Sequence, residues 1–161
     1  MGMKLLNRQL TILQVEDTAS DVELTAYALK RSGIPHSVHV VTDGEQAMRF
    51  LTRGAGFKEA PRPDLVLLHL NLPILDGHEV PRLIKQDAAL KSIPVIIFST
   101  SEAVEAQRLA YELQANSYVV KPMDFASLMT AVQSIEAYWS KTTALPRLPA
   151  ESRRTVNQRA V

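Results

Sequence analysis

The sequence predicts an α/β fold, a parallel five-stranded sheet with helices on both faces. Three observations carry that expectation. Short apolar runs rich in β-branched residues recur five times along the 161 residues. Amphipathic helical segments alternate with them. The third run, Leu65-Val66-Leu67-Leu68, has no polar position, as expected of a strand buried on both faces. Strict strand–helix alternation implies right-handed crossovers within one sheet.

Thr11-Ile12-Leu13-Gln14-Val15 is the first expected strand. A helix near Asp21–Ser32 follows, with Val22, Ala26 and Leu29 on one face and Gly33 at its end. Val38–Val41 forms the second strand, and the turn Thr42-Asp43-Gly44 leads into a helix over Glu45–Leu51. Asp64 starts the third strand. Asp76-Gly77 is a helix-entry signal, with Asp76 in the N-cap region. Val80, Leu83 and Ile84 mark the third helix, which tolerates Pro81 because it falls in the first turn. Val95–Phe98 is the fourth strand. Ala103, Ala106, Ala110 and Leu113 line the fourth helix, with Val104 and Tyr111 turned away from that stripe. Tyr118–Val120 is the fifth strand, and Phe125, Leu128, Val132, Ile135 and Trp139 give the fifth and most regular helix. The expected organisation is an N-terminal arm (1–8), one domain (9–140) and a flexible C-terminal tail (141–161) carrying Arg147, Arg153, Arg154 and Arg159.

Composition narrows the function classes. With 18 basic and 17 acidic residues, the net charge of +1 provides no bulk attraction to nucleic acid or anionic membrane. Cysteine is absent, which excludes disulfides and thiolate metal sites. No apolar run approaches the ~20 residues needed to span a bilayer, and the N-terminus lacks a cleavable leader pattern, so a cytoplasmic protein without DNA or membrane partners is expected.

In an open parallel sheet, function gathers at the carboxyl ends of the strands. Those ends deliver Glu16-Asp17, His69 with Asn71 on the next loop, Ser99-Thr100, and Lys121-Pro122. Adjacent carboxylates can hold a hard cation. The Ser99 hydroxyl can bond a phosphoryl oxygen, and the Lys121 ammonium can stabilise its charge. A cis bond at Pro122 would aim the lysine. His36, His39 and His78 are expected at the surface or in turns. The acidic, glycine-free loop Glu16–Asp21 argues against a nucleotide or flavin cradle.

The motifs Val15-Glu16-Asp17, Pro63–Leu68, Leu72–Gly77, Ile93–Ser99 and Tyr118-Val119-Val120-Lys121-Pro122 together resemble the receiver domain of two-component response regulators, over residues 9–140. The stretch Arg53–Arg62 and the segment Asn71-Leu72-Pro73 further resemble the stand-alone regulators of cyanobacterial phytochromes. The resemblance implies a flavodoxin-like (CheY-like) doubly wound sheet of strand order 2-1-3-4-5. It implies a non-enzymatic phosphorelay protein that works by contact with a phytochrome-type sensor histidine kinase. It also implies a homodimer through the helix 4–strand 5–helix 5 face. Asp17 matches the metal ligand, Glu16 its assistant and Asn71 a backbone-carbonyl ligand. Ser99 matches the switch hydroxyl, Tyr118 the aromatic switch and Lys121 the phosphate-contacting lysine.

His69 matches the aspartate that accepts phosphate, and here the chain departs from the family. Histidine supplies neither that oxygen nucleophile nor that oxygen ligand, so Mg²⁺ binding is expected to be weak and no cofactor is required. Three readings of His69 stand side by side. It packs or hydrogen-bonds in a pocket that has lost aspartyl phosphorylation but keeps partner binding; as a separate electrostatic alternative, the nearby carboxylates favour an imidazolium in the cation's place. It carries phosphohistidine as a phosphotransfer intermediate. Or, with the carboxylates, it binds a transition metal such as zinc, copper or nickel.

Overall fold

The computed structural model describes residues 9–72 and 76–146. The N-terminal arm 1–8, Pro73–Leu75 of the loop after the third strand, and the tail from Arg147 with its arginines lie outside the described residues. The strands are β1 (Leu10–Val15), β2 (His36–Val41), β3 (Leu65–Leu68), β4 (Val95–Ser99) and β5 (Ser117–Val120). They alternate with α1 (Ala19–Arg31), α2 (Gly44–Thr52), α3 (Glu79–Gln86), α4 (Val104–Glu112) and α5 (Phe125–Ala137). All pairings are parallel, in the order β2-β1-β3-β4-β5. The doubly wound, flavodoxin-like sheet expected from the sequence is the observed fold.

Side-chain alternation along the strands builds two cores. Leu13, Val15, Val66, Leu68, Val95 and Ile97 face Ala47, Phe50, Val80, Ile84 and Ala110 of α2, α3 and α4. Leu10, Ile12, Leu65, Leu67, Ile96 and Phe98 face Ala28, Leu29, Leu128, Val132 and Ile135 of α1 and α5. β3 is central, so its four residues are all buried, which explains its unbroken apolarity. The start of β3 is tied to β1 by a reciprocal pair. The Asp64 amide donates to Thr11 O at 2.7 Å, and the Thr11 amide donates to Asp64 Oδ2 at 2.9 Å. Asp64 thus opens the strand, as its place in the sequence implied.

Three details depart from expectation. β2 begins at His36 rather than Val38, because the edge strand is half-exposed and its first residues, His36 and Ser37, pair with Leu10 and Thr11 despite their polarity. The Lys121–Pro122 bond is trans, as are all peptide bonds among the described residues, so ion pairs rather than a cis proline aim the lysine. Beyond α5 the chain winds into a π-helical turn, Tyr138–Thr142, which crosses the expected boundary at 140. Trp139, within this turn, and Leu145, just beyond it, both pack against the α1/α5 core.

Candidate functional site

The ladder of the sheet places the polar strand-end residues. One residue past β1, the Glu16 amide donates to Val41 O at 3.0 Å. One residue past β3, the His69 amide donates to Val15 O at 3.0 Å. One residue past β5, the Lys121 amide donates to Ser99 O at 2.7 Å. Backbone pairing therefore brings residues from four strands to one edge, whatever their side chains.

At that edge the side chains converge. His69 Nδ1 lies 3.3 Å from Glu16 Oε2, and Lys121 Nζ lies 3.3 Å from the same oxygen. Glu16 Oε1 accepts from the Thr18 amide at 3.1 Å. Lys121 Nζ also donates to Asp21 Oδ2 at 3.1 Å and stands 5.2 Å from the Phe98 ring centre, a cation–π distance. Glu16 and Lys121 are buried and Asp17 is exposed at the rim. Among the described residues, Glu16, Asp17 and His69 form a group whose ligand atoms all lie within 4.8 Å of one another. Glu16 and Asp21 pair with the Lys121 ammonium, and Asp17 adds a further carboxylate beside Glu16 and His69, so the crevice favours a further positive charge.

Ser99 ends β4 almost fully buried. Its Oγ accepts from the Ser101 amide at 3.2 Å, so the hydroxyl shapes the loop after β4. Tyr118 is half-buried against the α2–α4 core, and its hydroxyl donates to Ser101 O at 2.9 Å. Ser99 and Tyr118 are thus joined through residues 99–101. Asn71 is exposed on the loop beyond His69, and Thr100 is exposed. Gly77 packs on the backbone of that same loop, where a Cβ would come within 2.5 Å of His69 O and Leu70 O. Its amide donates to Leu70 O at 2.9 Å. The Asp76 carboxylate accepts from the His78 amide at 2.7 Å, so Asp76 caps the entry to α3 from outside the helix.

Sequence reasoning missed Asp21 as a member of the site. It stands in the first turn of α1, 100 residues from its partner Lys121. The available signal was an acidic residue in the first helical turn beside the carboxyl edge. Of the remaining histidines, His39 packs on Phe50 at 5.5 Å between ring centres and His78 pairs with Asp76 at 3.1 Å. His36 Nδ1 lies 2.8 Å from Ile34 O. None of the three joins the crevice group.

A doubly wound sheet with carboxylates, a hydroxyl and a lysine at its carboxyl edge defines a class of signal receivers. The chain belongs to the response regulator receiver domain family, which matches residues 12–133. It is 42% identical over 135 residues to response regulator Rcp1 of Synechocystis sp., covering 84% of this chain and 92% of that protein. Among solved structures it resembles the phosphorylated cyanobacterial phytochrome response regulator RcpA, with a TM-score of 0.83 and 41% identity, over 87% of this chain and 100% of that one. The Mn²⁺-bound form of Rcp1 superposes with a TM-score of 0.81 at 41% identity, over 86% of this chain and 99% of that one. Among the described residues, no helix is long and apolar enough to cross a membrane.

Proposed function

We propose that this receiver works in a phytochrome-type phosphorelay by protein–protein contact, with aspartyl phosphorylation lost because His69 stands at the acceptor position. One observation carries the reading. An imidazole follows the central strand into the acidic crevice, and the next three residues, Leu70, Asn71 and Leu72, offer no carboxylate in its place. The likeness to Rcp1 and RcpA supports a phytochrome-type sensor histidine kinase as the partner. Glu16, Asp17, Ser99, Tyr118 and Lys121 then act as the retained frame of the pocket, which keeps the partner-binding surface in one conformation.

Mg²⁺ fits this pocket poorly. It requires oxygen ligands in near-octahedral geometry, and the third donor here is a ring nitrogen. Asn71 would offer a backbone carbonyl to any ion held by Asp17 and Glu16. Contact with a partner needs no cofactor. Exposed Val104, Leu109 and Tyr111 on α4 support a homodimer through the α4–β5–α5 face.

Phosphohistidine on His69 is the rival reading. Nδ1 faces the Glu16 carboxylate at 3.3 Å, where an incoming phosphoryl group meets a like charge. Incubation with a phosphorylated phytochrome-type kinase separates the two. The expected result is no label on the wild-type chain and base-labile label on His69→Asp. Acid-labile, base-stable label on wild-type His69 overturns the contact reading.

A further inference from the structure

We propose that Glu16, Asp17 and His69 form a binding site for a zinc-class divalent ion, selective against Mg²⁺. The donors are one carboxylate oxygen from each acid and His69 Nδ1, all within 4.8 Å of one another. The His69 Nδ1–Glu16 Oε2 pair is already at 3.3 Å. A tetrahedral zinc ion bonded to both at about 2.1 Å spans about 3.4 Å between donors, so this edge of the polyhedron needs no rearrangement. Asp17 is exposed at the rim, and its side chain has room to swing the remaining distance.

The imidazole decides the class of ion. Mg²⁺ is hard, dehydrates reluctantly and takes oxygen ligands. Imidazole nitrogen suits zinc and its neighbours, which bind mixed nitrogen–oxygen sets more tightly than earlier ions of the series. A second observation points the same way. His69 Nδ1 is buried and has no hydrogen-bond partner, although it faces a carboxylate. A buried polar atom left this way is costly, and a cation between nitrogen and oxygen satisfies both.

Lys121 is the competitor for Glu16, its Nζ standing 3.3 Å from the same Oε2 that faces His69. Its ammonium is also held by Asp21 at 3.1 Å. Glu16 can therefore turn to an ion without leaving the buried ammonium uncompensated. Three protein donors leave a fourth position open to water or to a small anionic ligand, the arrangement of an open zinc site.

The test uses the purified, tag-free chain without any kinase, so it stands apart from phosphotransfer. Zn²⁺ and Mg²⁺ affinities are measured by competition against a chelator. Co²⁺ serves as a visible-absorption reporter of coordination, and ¹⁵N NMR follows the His69 ring. The expected result is one Zn²⁺ per chain, bound at least ~100-fold more tightly than Mg²⁺, with His69 ring nitrogens shifted and Co²⁺ bands of a four- or five-coordinate site. His69→Asp is expected to strengthen Mg²⁺ binding and narrow the gap between the two ions. Asp17→Asn, at an exposed position that folding does not need, is expected to weaken Zn²⁺ at least ~10-fold. Unchanged Zn²⁺ affinity in both variants, which would put the ion on His36, His39 or His78, overturns the proposal. So does a Mg²⁺ affinity equal to that for Zn²⁺.

Discussion

Glu136 is the one fully buried carboxylate of α5, set against the end of α1 and the start of β2. Burial pushes its carboxyl above the usual carboxylate range, with the Ser32 hydroxyl, His36 and Lys141 pulling the other way. The hydrogen bonding agrees with a protonated acid. Ser32 Oγ lies 2.7 Å from Leu29 O and also contacts Glu136 Oε1, yet one hydroxyl proton serves only one of these acceptors. A protonated Glu136 supplies the second. Because the folded state holds this proton to higher pH than the unfolded chain does, stability falls as pH rises from the unfolded value, near ~4.3, through the folded one. Glu136→Gln removes that dependence. In thermal melts from pH 4 to pH 8 its Tm advantage should start near zero, grow by a few degrees and then level off; a constant difference across the range would contradict the assignment.

Lys121 poses the opposite case at the same scale. Its ammonium answers the buried Glu16 carboxylate and the half-buried Asp21. Lys121→Met should leave Glu16 uncompensated and cost about 2–3 kcal/mol in urea denaturation. Asp21→Asn should cost far less, because water reaches that carboxylate. The residue types of the crevice were legible in the chain, since they fall at strand ends. Asp21 and Glu136 were not, because a carboxylate on a helix looks solvated until the packing partner of that face is known.

Among elements, the helix starts show which local signals a sequence carries. Asp43 caps α2, its Oδ1 accepting from the Gln46 amide at 2.7 Å, and Gln46 Oε1 accepts in turn from the Thr42 amide at 3.1 Å. The turn was readable in Thr42-Asp43-Gly44, but the cap was not, because it needs Gln46 to reach back across the first helical turn. Asp43→Ala should cost about 1 kcal/mol, seen as a lower denaturation midpoint with an unchanged slope. By contrast, Thr18 before α1 makes no capping side-chain bond, and the expected start near Asp21 fell two residues inside the helix that begins at Ala19. The π-helical turn had no local signal either. Trp139 and Leu145, in and after the turn, pack against the α1/α5 core, a contact that local sequence does not reveal.

For the whole molecule, the exposed apolar residues of α4 carry the association prediction. Val104 is 73% exposed and Leu109 40% exposed, on a helix whose inner residue Ala110 is fully buried. If α4 forms the dimer face, the double variant Val104→Glu, Leu109→Glu should sediment as a monomer while keeping its helical circular dichroism. A wild-type chain that sediments as a monomer at ~100 µM would remove the homodimer from the proposed function. Tyr111 is the wrong residue for this test, since its hydroxyl accepts from the Tyr118 amide at 3.1 Å and supports the fold.

By itself the sequence determined the layering, the parallel sheet and the set of residues that end its strands. Those follow from apolar periodicity and strand–helix alternation, which are local properties of the chain. Only the tertiary structure decided which nitrogen of His69 meets Glu16, that Lys121 divides its charge between Glu16 and Asp21, and that Glu136 is sealed from water. Each of these depends on side chains far apart in the chain being held within about 4 Å, and packing of the whole sheet sets such distances.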